Sequence, residues 1–157
     1  MAVSSASVSS RKGLLWWTPA FPTHDRLNGD DALNPPNAPV DIIVAQGTEG
    51  GGHVGWLASI VLTPMVVDAV APVPVLTARG IADGRGLAAA LALGADGVLL
   101  GTRFLASREA PLHENFKQAI VDSNGHDTVL AEIPDIAAGV VWPGAMTRSK
   151  RNAFIGQ

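Results

Sequence analysis

The residues best suited to chemistry lie in one short stretch, Val44 to Gly55, which holds five glycines and a histidine, His53. An apolar run from Asp41 to Ala45 reads as a buried strand that empties directly into this turn. Glycines let a backbone approach a ligand closely. A histidine at the C-terminal end of a strand is well placed to move a proton near neutral pH. Two further glycine turns follow apolar runs. Val73 to Ala78 leads into Arg79-Gly80 and on to Gly86, and Gly97 to Leu100 leads into Gly101-Thr102. Backbone amides in such turns can face an anion, helped by the dipole of the helix that follows.

The elements that must position these residues repeat one grammar: buried strand, glycine turn, helix. Short continuous apolar strands alternating with helices predict a parallel sheet covered by helices. Thr63-Pro64 reads as the start of a helix through Val70, with threonine as cap and proline in the first turn. Asp83 can cap a second helix that runs to Leu93, and Gly94 ends it. A third helix is expected from about Leu112 to Ser123, burying Leu112, Phe116, Ala119 and Ile120 at helical spacing. Residues 134–157 read as irregular, with Val141-Trp142-Pro143-Gly144 tucked in as a tail.

The glycine-rich stretches together resemble the nitronate monooxygenase family, formerly the 2-nitropropane dioxygenases. The matching segments are residues 45–53, AQGTEGGGH; residues 73–107, from VPVLTARGIADGRG through GTRFLAS; and residues 140–155, VVWPGAMTRSKRNAFI. The resemblance implies an α/β fold, namely the C-terminal half of a TIM-type (β/α)8 barrel with parallel strands and helices. It implies flavin mononucleotide (FMN) as cofactor and oxidation of nitronates or nitroalkanes to carbonyl compounds and nitrite, with molecular oxygen as co-substrate. By the resemblance, His53 is the catalytic base or substrate contact. Gln46 and Gly51 contact the flavin, and Gly80 with Leu99, Leu100, Gly101 and Thr102 holds mainly its phosphate end. Two positions depart from the family. Arg79 stands where a second glycine is usual, and Gly50 where alanine is usual. An arginine can pair with a phosphate; it can equally fill the space a flavin needs.

A complete barrel of this type takes about 250 residues, and this sequence has 157. Residues 40–157 are therefore expected to form half a barrel. Residues 1–39 read as an irregular leader outside the resemblance, serine-rich at its start and loop-like from Asn28 to Pro39. A transit peptide is an alternative for that start. A half-barrel exposes sheet edges, so self-association or pairing with a complementary half is expected. Two other readings stay open: a flavin enoyl reductase of the same superfamily, and a half-barrel remnant without catalysis.

Composition narrows the classes. A hydrophobic share of 47% suffices for a core, and a net charge of −3 gives nucleic acid or a membrane surface no purchase. No run of about 18 apolar residues suggests a membrane span. The absence of cysteine removes disulfides and thiol chemistry, and fits a reducing, cytoplasmic setting. No His/Asp/Glu cluster has metal-ligand spacing. His24, His113 and His126 lie in leader, helix surface and loop contexts that carry no chemistry.

Overall fold

The computed structural model describes the backbone of Leu14–Trp17, and residues 41–140, 146–153 and 155. His24, the tail at Val141 to Gly144 and the remainder of residues 1–39 lie outside the described residues. In chain order the elements are β1 (Leu14–Trp17), β2 (Ile42–Gln46), β3 (Gly52–Val54), α1 (Ser59–Val70), β4 (Val75–Ala78) and α2 (Gly84–Ala92). There follow β5 (Gly97–Leu99), α3 (Thr102–Leu105), α4 (Glu114–Val121), β6 (Thr128–Ala131), α5 (Ile133–Ala138) and β7 (Met146–Lys150).

Four strands form a parallel sheet in the order β1-β2-β4-β5. The three strand-turn-helix units are thus present as read from the sequence, and the fold is α/β with parallel strands. Four strands are half of the eight that close a TIM-type barrel. β1 falls inside the segment expected to be irregular. Its backbone pairs with β2 from Leu14 opposite Ile42 to Trp17 opposite Ala45, so the leader contributes to the sheet.

Register decides where the loops emerge. Gln46 lies opposite Ala78, and Ala78 opposite Leu99. The last residues of three strands therefore stand in one row, and the turns at Gly47, Arg79 and Leu100 leave from the same edge.

The core lies between this sheet and α1. Ile43, Val44 and Ala45 are all buried, as expected of a strand covered on both faces. Leu62 and Val66 of α1 pack with Ile43, Ala45 and Val75. The buried residues of α1, Ser59, Leu62, Thr63 and Val66, fall at i, i+3, i+4 and i+7, one helical stripe. α1 begins at Ser59, four residues before the expected Thr63 cap, and Pro64 lies inside it. Thr63 instead faces inward, its hydroxyl 3.0 Å from that of Thr77 in β4. α2 starts as expected, with the Asp83 side chain accepting from the Arg85 and Gly86 amides. Gly94 follows its end at φ 90, a left-handed conformation that suits glycine.

The second half departs further from expectation. α4 packs mainly on the one-turn α3, with the Lys150 ammonium of the strand β7 donating to its Ala119 carbonyl, and its apolar stripe gains little cover. Phe116 is 52% exposed, and Leu112, Ala119 and Ile120 are only half-buried. The buried residue of α4 is Lys117, whose ammonium donates to the Arg108 carbonyl and the Glu114 carboxylate. Residues 134–157, expected to be irregular, supply most of α5 and all of β7. β7 runs antiparallel to both β3 and β6, making a second, three-stranded sheet. No described helix is long and apolar enough to cross a membrane.

The Thr63–Thr77 pair makes a direct test of this packing, because both residues are at most 2% exposed. Thr63→Val is expected to cost about 1–3 kcal/mol, since it leaves the Thr77 hydroxyl buried without this partner. Thr63→Val combined with Thr77→Val is expected to recover most of that loss. Urea unfolding of both variants checks it; equal costs for the single and double variants would count against a paired contact.

Candidate active site

The loop from Gly47 to Gly55 is folded back on itself. The Gly47 amide donates to the Ala78 carbonyl, and the Gly55 amide to the Gly47 carbonyl. A side chain at Gly47 would begin 2.1 Å from the Ser59 hydroxyl oxygen, so the close approach requires glycine. Ala58, which precedes α1, offers no side-chain cap. Glu49 supplies one from the loop: its carboxylate oxygens accept from the Ser59 amide at 2.8 and 3.1 Å, and from the Ser59 hydroxyl at 2.8 Å. A carboxylate suits the positive end of a helix dipole.

The loop then enters β3, where His53 pairs with Thr147 of β7. Cross-strand partners share a face of the sheet. Here both reach one carboxylate. His53 Nε2 lies 2.9 Å from Asp135 Oδ1, and the Thr147 hydroxyl donates to Asp135 Oδ2 at 3.0 Å. A carboxylate only accepts hydrogen bonds, so it selects the neutral imidazole tautomer with hydrogen on Nε2. In that tautomer Nδ1 is the ring nitrogen without hydrogen. Gln46, buried at the end of β2, donates through Nε2 to the His53 carbonyl at 3.0 Å. Its amide thus steadies the histidine's backbone.

Of the residues expected at the phosphate end, Gly80 is exposed at φ 65, and Gly101 and Thr102 are exposed beyond β5. Leu99 and Leu100 are half-buried. The space where a side chain at Gly101 would begin has nothing within 4 Å. A side chain at Gly51 would begin 3.2 Å from the Thr102 hydroxyl oxygen, so these two expected residues meet. The amides that open α2 are less available to an anion than the sequence suggests. Asp83 Oδ1 lies 3.0 Å from the Arg85 amide nitrogen and 3.3 Å from that of Gly86. The Arg85 side chain, then the Gly86 amide, hold the Asp83 carboxyl below its ordinary pKa.

Arg79 turns onto the loop: its guanidinium donates to the Gly51 and His53 carbonyls. A cavity of about 210 Å³ lies between α1 and α2, lined by residues including Ser59, Ile60, Gly80 and Ala89. It includes neither His53 nor Thr102, so it is not the place where the expected chemistry gathers.

Reasoning on the sequence missed Asp135 and Thr147. Asp135 lies 82 residues beyond His53, and only the β3–β7 pairing brings them together. The only local sign is an acidic residue just after Pro134, in the first turn of a short helix.

The nitronate monooxygenase family model matches residues 27–148, so the chain belongs to that family. The match reaches into the segment first read as outside the resemblance. A Staphylococcus aureus protein named "Probable nitronate monooxygenase" is 38% identical over 136 residues, covering 80% of this chain and 36% of that protein. FabK from Thermotoga maritima is a solved structural neighbour, with TM-score 0.64 and 41% identity over 74% of this chain and 34% of its own. Nitroalkane oxidase from Streptomyces ansochromogenes follows, with TM-score 0.60 and 34% identity over 73% of this chain and 34% of its own. The chain therefore spans about a third of the length of these relatives.

The tautomer of His53 can be read without substrate. Long-range 15N–1H correlation spectra of the neutral histidine are expected to show hydrogen on Nε2 in the wild type. Asp135→Asn, which replaces an obligate acceptor by an amide, is expected to shift the population toward Nδ1–H. An unchanged spectrum would mean that Asp135 does not select the tautomer.

Proposed function

We propose that this chain carries the catalytic-histidine portion of an FMN-dependent oxidoreductase that converts nitronates and nitroalkanes to carbonyl compounds and nitrite. The observation that carries the reading is His53, held by Asp135 beside a glycine turn at the C-terminal edge of a parallel sheet. Active sites of (β/α)8 enzymes are built at that edge. The residues fit FMN at most positions. Gly101 leaves open space, Thr102 adds a hydroxyl, and Gly80 exposes a turn from the same edge. They would hold the phosphate end with Leu99 and Leu100, while Gln46 and Gly51 would border the ring. Arg79 is the exception. When bound, FMN supplies the electron acceptor of the reaction, with molecular oxygen as co-substrate.

The chain's own contribution is acid–base chemistry and placement. A nitroalkane has an acidic C–H on the carbon that bears the nitro group. His53 removes that proton, and Asp135 stabilises the imidazolium that results. A preformed nitronate needs no proton removed, only positioning. The likeness to FabK supports a second reading, a flavin enoyl reductase. Stoichiometric NADH oxidation with an enoyl thioester, and none with a nitronate, would select the reductase.

Two variants test the site. Gly101→Val adds bulk from a Cβ position that, chain neighbours aside, has no protein atom within 4 Å. It is expected to leave the unfolding midpoint unchanged while abolishing FMN binding, read by quenching of flavin fluorescence. Unaltered FMN affinity would place the phosphate site elsewhere. His53→Asn, assayed with FMN in excess, is expected to slow oxidation of neutral nitroalkanes by about 10²–10⁴-fold, the usual loss with a general base. Preformed nitronates should be far less affected. Equal losses on both substrates would assign His53 to positioning, and inactivity of the wild type on both would favour a remnant without catalysis.

A further inference from the structure

Arg79 combines features that do not belong to an ordinary surface arginine. Its φ is 92, and among the described residues no other non-glycine has a positive value. That conformation disfavours a residue with a Cβ. Among the described residues its guanidinium has no carboxylate within ion-pair distance. Its hydrogen-bond acceptors are the neutral carbonyls of Gly51 and His53, and its Nε is buried without a partner. Burial pushes its pKa down from the ordinary arginine value. The aliphatic stem lies over Gly50: a side chain there would begin 2.2 Å from Arg79 Cδ and 3.0 Å from its Cβ and Cγ. The absence of a side chain at position 50 is therefore what lets Arg79 lie down on the loop. At Gly52 the guanidinium is only at ordinary contact distance, 3.7 Å from where a side chain would begin.

We propose that Arg79 and Gly50 form one unit, a clamp across the glycine loop that sets the affinity of this site for a flavin. The proposal rests on the flavin reading above. The guanidinium ties the loop together at Gly51 and His53, the stretch a flavin ring would have to lie along. The ring can settle there only when the arginine has left, so the closed state lowers the apparent affinity by the fraction of molecules that are open. A phosphate-pairing role would predict the opposite, because removing the charge would then weaken binding.

The test is a double-mutant cycle on the whole chain: wild type, Gly50→Ala, Arg79→Gly and the double variant, with Arg79→Lys alongside. FMN affinity is read by quenching of flavin fluorescence, and flavin-free stability by urea unfolding. Arg79→Gly is expected to bind FMN about tenfold or more tightly than wild type. Arg79→Lys, which keeps the charge without the two-pronged fork, is expected to fall between them. Gly50→Ala is expected to destabilise the wild type but not the Arg79→Gly background, a clear departure from additivity. Equal or weaker FMN binding by Arg79→Gly overturns the proposal, as does an additive cycle. If no variant binds FMN although the cycle is coupled, the flavin reading has failed and the gating role falls with it. If wild type and Arg79→Gly bind FMN equally, the flavin reading survives and the clamp alone is wrong.

Discussion

The hydrogen bonds from Ser59 to the Glu49 carboxylate are the tie on which the site's geometry depends. A helix leaves its first amides without intrahelical acceptors, and α1 has no cap from its own flank. The loop provides the acceptor, so the helix N-terminus and the loop path are settled by one contact. Gly47 is drawn so close that no side chain fits. Because α1 is packed on β2 and β4, a loop tied to its first residue is referenced to the core. His53, four residues beyond Glu49, inherits that placement.

The candidate site spans a seam between two sheets. Gln46, Arg79, Gly80 and Leu99 to Thr102 belong to the parallel sheet or the turns that leave it. His53, Thr147 and Asp135 belong to the antiparallel sheet and its short helix. The Gly47–Gly55 loop joins the two covalently, and the Arg79 and Gln46 bonds to the His53 carbonyl join them again. Two donors on one carbonyl hold the histidine's backbone, and one carboxylate holds its ring. Ring and backbone are thus fixed from opposite sheets, so a shift between the sheets would be felt first at His53.

What the sequence revealed followed from local physics. β2, β4 and β5 were readable because strands of a covered parallel sheet leave continuous apolar runs. α2 was readable because Asp83 caps it from the adjacent position. α1 was misplaced because Thr63-Pro64 imitates a helix start, whereas the real cap reaches in from ten residues upstream. β6 and β7, TVLA and MTRSK, are half-buried and carry no strong pattern, so no local signal marked them. β1 went unrecognised because its apolar residues are cut short by Thr18-Pro19. His53 stood out through its glycine neighbours, whereas Asp135 depends on pairing between strands about 90 residues apart. Such long-range contacts leave no periodicity to read.

The strained backbone at Arg79 bears on how the edge where the glycine turns emerge is built. A left-handed conformation in a residue with a Cβ costs about 1–2 kcal/mol. It persists only where the surroundings over-determine it. Here the two carbonyl bonds of the guanidinium and the vacant side-chain position at Gly50 supply that determination. The same turn runs on to Asp83, whose carboxylate occupies the first amides of α2 and puts a negative charge beside them. An anion approaching this turn would therefore meet a helix end already satisfied by the chain itself. The amides still suited to it are those of Gly80 and, across the edge, of Gly101-Thr102. On the flavin reading proposed above, the phosphate end would lean on the β5 turn more than on the β4 turn, because the β5 turn is the one whose glycine faces open space.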